Sequence, residues 1–150
     1  MLNINKALLN KTDTHFLELS ILDSGVGMAK TMSKKDFRLS NDINEEYLNV
    51  NNCFIPKKTG GEGYDSITRG WGLYKTIVDL NKKAILKIRT GHLSLIRDFL
   101  NSPLDIENPD FTLYDINDVD LNPLTASQKI KKYSWAEGTL LTISMPIKKI

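Results

Sequence analysis

Within residues 15–22, Phe16, Leu17, Leu19, Ile21 and Leu22 form a mostly apolar run with partial alternation, which predicts a strand. Residues 2–9 (LNINKALL) lie across the polar turn Asn10-Lys11-Thr12-Asp13-Thr14, and the two segments read as a hairpin. Leu73, Ile77 and Leu80 recur at helical spacing with Tyr74 and Val78 beside them. They predict a helix opened by Gly70-Trp71-Gly72, with Lys82 and Lys83 in its last turn. Residues 84–90 and 92–97 read as two strands around Gly91, and 139–147 as a final strand behind Glu137-Gly138. Residues 29–68 are polar and glycine-punctuated and read as a long mobile loop, with room for a short helix around 34–39 or 44–48. Residues 98–123 read as an inserted loop and 126–132 as a short helix. This order predicts a single α+β domain over 1–150, with a mainly antiparallel sheet and a helix on one face.

Composition excludes several classes. At 41% hydrophobic and 25% charged residues, the chain matches an ordinary soluble globular domain. No apolar run approaches the roughly 18 residues of a membrane-spanning helix, and residues 1–6 lack the features of a signal peptide. The lone Cys53 forms no internal disulfide, which points to a reducing compartment and a cytoplasmic location. A net charge of +2 does not by itself indicate nucleic-acid binding. Its distribution is uneven. Seven of the 18 acidic residues lie within 98–122, a stretch without Lys or Arg, leaving 20 basic against 11 acidic residues elsewhere. That acidic loop reads as solvated or as a docking point for a partner.

Three motifs carry candidate chemistry. Asp23-Ser24-Gly25-Val26-Gly27-Met28 follows directly on a strand. A carboxylate there can accept a hydrogen bond from an exocyclic amine, and the glycines let the backbone approach a ligand closely. Arg69-Gly70-Trp71-Gly72-Leu73 opens the helix, where free backbone N–H groups can hold phosphate oxygens. It is neither a P-loop nor a dinucleotide fingerprint, since the residues those motifs require are missing. Gly138-Thr139 opens the last strand.

Taken in order, these motifs resemble those of the GHKL ATPases, the group of gyrase, heat-shock chaperones, histidine kinases and mismatch-repair ATPases. Asp23-Ser24-Gly25-Val26-Gly27-Met28 resembles the family's first glycine box, Arg69-Gly70-Trp71-Gly72-Leu73 its second, and Gly138-Thr139 its closing pair. The resemblance runs from about residue 14 to 147, with the acidic stretch 98–123 as an extra insertion. It implies a two-layer α/β sandwich, the Bergerat ATP-binding fold, that holds ATP or ADP with Mg²⁺. By position, it implies that Asp23 binds the adenine amino group, that Gly25, Gly27 and Met28 shape the base pocket, and that residues 29–68 form the ATP lid. Arg69, Gly70, Trp71, Gly72 and Leu73 would serve the phosphates, and Thr139 would help fix the base through a water.

One departure bears on catalysis. The family carries a helix with an acidic residue and an Asn ahead of the first box, whereas the 22 residues before Asp23 read as strands. No catalytic residue and no metal ligand is assigned. ATP hydrolysis or phosphoryl transfer is expected only if that helix lies upstream in the full protein, so the chain reads as a fragment or a degenerate member. A histidine or serine kinase domain and a non-catalytic nucleotide-sensing domain remain alternatives. The expected partners are the nucleotide and a protein, or a second copy joined through segments outside this chain. Lys57, Lys58 and Lys75 are further phosphate candidates, or solvated lysines. His15 and His92 read as structural or surface residues, Cys53 as an inert thiol, and Tyr133 and Trp135 as anchors ahead of the last strand.

Overall fold

The computed structural model describes residues 14–56, 72–105, 111–117 and 130–148. Within them the chain is a mixed α+β fold: five antiparallel strands and three helices. Strand β1 spans Thr14–Asp23, and helices α1 and α2 span Met28–Ser33 and Ile43–Asn52. Helix α3 spans Gly72–Leu80, followed by β2 (Ile85–Gly91), β3 (Leu93–Asp98), β4 (Tyr114–Asp115) and β5 (Ala136–Lys148). The sheet order is β1-β5-β2-β3-β4.

Register decides which side chains share a face, because residues directly opposite in an antiparallel ladder point the same way. Leu19 pairs with Ile143, which pairs with Leu86, and Ile21 pairs with Leu141, which pairs with Ile88. Leu86, Ile88, Leu93 and Leu95 meet Ala29, Tyr47, Val50 and Ile77 from the helices in one apolar cluster. The helices therefore cover this face. Coverage stops short of the edge: Leu19 and Ile21 keep 49% and 50% of their surface, against 2% and 1% for Leu86 and Ile88.

Residues 28–56 are not the irregular loop their polarity suggests. Ile43, Tyr47, Val50 and Phe54 lie at helical spacing, and Tyr47, Val50 and Phe54 are buried, as is Phe37. The Asn side chains occupy the other positions and partly bind backbone: Asn51 Nδ2 donates to the Phe111 carbonyl and Asn51 Oδ1 accepts from the Leu113 amide. Asp42 caps α2 by accepting from the Glu45 amide at 2.9 Å. Of the two short helices the sequence allowed, the one at 44–48 is present within α2 and none forms at 34–39. Lys82 and Lys83 fall beyond the end of α3, with Lys82 in the left-handed region at φ 62°.

The described part of the acidic stretch is no solvated loop either. Phe99, Leu104, Phe111 and Leu113 are buried, and Tyr114–Asp115 adds the edge strand β4. Asp98 and Asp115 are buried as acceptors: Asp98 takes the Leu100 and Asn101 amides, and Asp115 the Asn117 and Lys131 amides and the Tyr133 hydroxyl. Those last contacts make Tyr133 an anchor as expected. Burial and the Asp115 carboxylate push its phenol up to about 12. The hairpin arm 2–9, residues 57–68 of the expected lid and residues 126–129 of the expected short helix lie outside the described residues. Ile130, Lys131 and Lys132 are not helical.

Candidate functional site

Strand β1 ends at Asp23, directly opposite Thr139 of β5, and Thr139 is opposite Thr90 of β2. These three polar residues form the last row of the helix-covered face, one step past Ile21, Leu141 and Ile88. The chain turns at once behind Asp23, where the Gly25 amide donates to Asp23 Oδ1 at 3.0 Å. Asp23 Oδ2 makes no hydrogen bond among the described residues, and the residue is exposed.

Two glycines allow the close approach. At Gly138 φ is +70°, and a Cβ would lie 1.9 Å from the Asp23 carbonyl oxygen. At Gly27 φ is +83°, and a Cβ would lie 3.1 Å from Thr90 Oγ1 and 3.4 Å from the Gly138 oxygen. Both positions sit in the left-handed region, where glycine has no steric penalty. Gly27 in turn starts α1, its carbonyl accepting from the Thr31 amide and hydroxyl.

Thr90, which the motif reading did not single out, joins these segments. Its Oγ1 is 2.9 Å from the Gly138 oxygen, 3.1 Å from Thr139 Oγ1 and 3.3 Å from the Met28 amide. The sequence signal was slight: a hydroxyl at the inward position of a strand whose other inward residues, Leu86 and Ile88, are aliphatic.

Beside the Ser24–Val26 turn opens a cleft of about 240 Å³. Its walls carry two ion pairs, Lys30 with Asp36 at 2.9 Å and Arg38 with Glu137 at 2.7 Å. The Lys30 ammonium holds the Asp36 carboxyl below its ordinary value. The Arg38 guanidinium stands 5.6 Å above the ring of Trp135, whose indole nitrogen is buried without a partner among the described residues. Behind Trp135, His92 is clasped by Glu46. The carboxylate accepts the His92 amide at 2.9 Å and meets Nδ1 at 3.0 Å, with the two side chains 2% and 7% exposed. Trp135 packs edge-on against the imidazole at 4.9 Å. His92 is therefore a buried structural residue. Glu46 lies 46 positions away in sequence, so nothing local revealed the pair.

Of the sequence candidates, Asp23, Gly25, Gly27, Met28 and Thr139 converge on one end of the sheet. Gly72 and Leu73 begin α3, and Leu73 packs half-buried on the main core, as Met28 does. Arg69, Gly70 and Trp71, with Lys57 and Lys58, lie outside the described residues. Cys53 is half-buried, and burial pushes its thiol up to about 11, in keeping with an inert thiol. Among the described residues no three His, Cys, Asp or Glu side chains are grouped to hold a metal ion. No described helix is long and apolar enough to cross a membrane. No family model, curated protein or solved structure matches the chain.

Proposed function

We propose that this chain is an adenine-nucleotide-binding domain of the GHKL kind, with a Bergerat-type arrangement of sheet and helices. The observation that carries the proposal is the register of β1 against β5. Asp23 and Thr139 come from motifs more than a hundred positions apart, yet they stand opposite each other at one end of the helix-covered face. Asp23 Oδ2, an acceptor without a partner in the described fold, fits the amino group of adenine. Gly25, Gly27 and Met28 would shape the approach to it, with Gly27 and Gly138 keeping the strand ends close. The amides at the start of α3, Gly72 and Leu73 among them, would face the phosphates of ATP or ADP. Mg²⁺ would arrive with the phosphates, held chiefly by their oxygens. The proposed role is to couple nucleotide state to the position of the segment that follows α2 and to contacts with a protein partner.

An NMR titration of the ¹⁵N-labelled chain with MgADP tests the proposal. Amide shifts should concentrate at Gly25, Gly27, Met28, Thr90 and Thr139. A folded chain whose shifts stay unchanged, or move only at the far end of β1 near His15, would rule the site out.

A further inference from the structure

We infer that Thr90 is a positioning residue that fixes the hydrogen-bonding character of the nucleotide site and makes it select a base bearing an amino group. The inference rests on the adenine-nucleotide reading above and deepens it. A threonine hydroxyl has one proton and two lone pairs. Thr90 Oγ1 lies 2.9 Å from the Gly138 carbonyl oxygen, which can only accept, so the Thr90 proton goes there. The same Oγ1 accepts from the Met28 amide at 3.3 Å. Its remaining lone pair faces Thr139 Oγ1 at 3.1 Å, and with the Thr90 proton committed, Thr139 is the donor across that contact. Thr139 then offers a ligand nothing but lone pairs.

The neighbour of Thr139 across the ladder is Asp23, whose carboxylate also only accepts. Two adjacent acceptors match the two protons of an exocyclic amine in direct contact. They oppose a carbonyl, which brings no proton and leaves both acceptors unpaired. Thr90 is 2% exposed and so acts through Thr139 rather than on the ligand itself. Gly27 belongs to the same device, since a Cβ there would press on Thr90 Oγ1 at 3.1 Å.

The test compares ADP with inosine diphosphate, whose base carries a carbonyl where adenine has its amine, by calorimetry on the full 150-residue chain. The wild-type chain should prefer ADP. Thr90→Val keeps the side-chain shape, frees the Thr139 proton to turn toward the ligand, and should cut that preference by about tenfold, the worth of one hydrogen bond. Thr90→Ser should keep it. A Thr90→Val chain that weakens toward both nucleotides in parallel, with the ratio unchanged, would reduce Thr90 to a structural role and overturn the inference. If Thr90→Val does not fold, Thr139→Val leaves the Thr90 bonds to Met28 and Gly138 in place and should lower the ADP preference by a similar factor; an unchanged ratio there overturns the inference equally. A wild-type chain that binds neither nucleotide would instead overturn the underlying reading, and this role with it.

Discussion

Replacing Gly138 by alanine tests how the site end of the sheet is built. The residue sits at φ +70°, where an L-residue costs about 1 kcal/mol more than glycine. A Cβ there would also lie 1.9 Å from the Asp23 carbonyl oxygen, 2.9 Å from the Asp23 carbonyl carbon and 3.0 Å from Ser24 Cα. All three are backbone atoms, so no side chain can swing away. Relief requires β1 and β5 to separate by about 1 Å at Asp23 and Thr139, which loosens ladder bonds worth about 1 kcal/mol each. The combined loss is about 4 kcal/mol, a large share of the roughly 5–15 kcal/mol that stabilises a typical domain. Urea unfolding followed by circular dichroism reads it directly. With a slope of about 2 kcal/mol per molar, the midpoint should fall by about 2 M. Two controls bracket the value. At Gly25 the nearest atoms to a Cβ are those of the flexible Asp23 carboxylate, at 3.0 and 3.3 Å, so Gly25→Ala should cost about 1 kcal/mol or less. At Gly72 no atom of the described residues lies within 4 Å of a Cβ, and Gly72→Ala should stabilise by about 0.5 kcal/mol. A Gly138→Ala chain within about 1 kcal/mol of wild type would refute the close approach of Asp23 to Gly138 on which the site depends.

Two further outcomes follow from buried groups. Glu46→Ala leaves the His92 amide and ring unpaired and removes the clasp between α2 and the β2–β3 turn, so the chain should lose about 3 kcal/mol in the same assay; a loss below about 1 kcal/mol would show that the clasp is not formed. Cys53 has its thiol raised from 9.0 to about 11, so iodoacetamide at pH 8 should modify the native chain about a hundredfold more slowly than the urea-unfolded chain, and equal rates would contradict its burial. The sign of the linked stability follows from the same shift. The folded state holds this proton more tightly, so the Cys53 contribution is complete below pH 9 and is lost as pH rises toward 11. The raised phenol of Tyr133 acts in the same direction at higher pH.

The sequence was informative where burial follows a simple period. Strand β1, the two strands flanking Gly91, helix α3 and the last strand all come from apolar-rich runs of strand or helix length, and the structure has them within a few residues, with Ile85 and Ile96 buried on the sheet face opposite Leu86, Ile88, Leu93 and Leu95. It was incomplete where apolar positions are sparse: the short helix allowed at 44–48 is present and longer, as α2, while the segment around it read as loop. Helix α2 holds its face with Ile43, Tyr47 and Val50 amid asparagines, and asparagine disfavours helix unless its side chain finds other work. Asp42 and Glu45, the ends of a capping motif, were the overlooked signal. The acidic stretch misled for a related reason: Asp98 and Asp115 are spent on backbone amides rather than on solvent, which charge counting does not register. Asp23, Gly25, Gly27 and Thr139, which the structure brings to one end of the sheet, stood out in the sequence because glycine spacing is a local feature. Thr90 and the Glu46–His92 clasp depend on contacts between distant parts of the chain, which no local pattern encodes.

The central claim is that Asp23 receives the amino group of an adenine nucleotide. Calorimetric titration of the full chain with MgADP, alongside Asp23→Asn, tests it most directly, because asparagine can still accept from the Gly25 amide while turning an amide where the carboxylate met the amine. The account expects saturable one-to-one binding to the wild-type chain, weakened at least about tenfold by Asp23→Asn, the loss of one hydrogen bond. Binding of equal strength by both chains, or none by a folded wild-type chain up to millimolar MgADP, would contradict it.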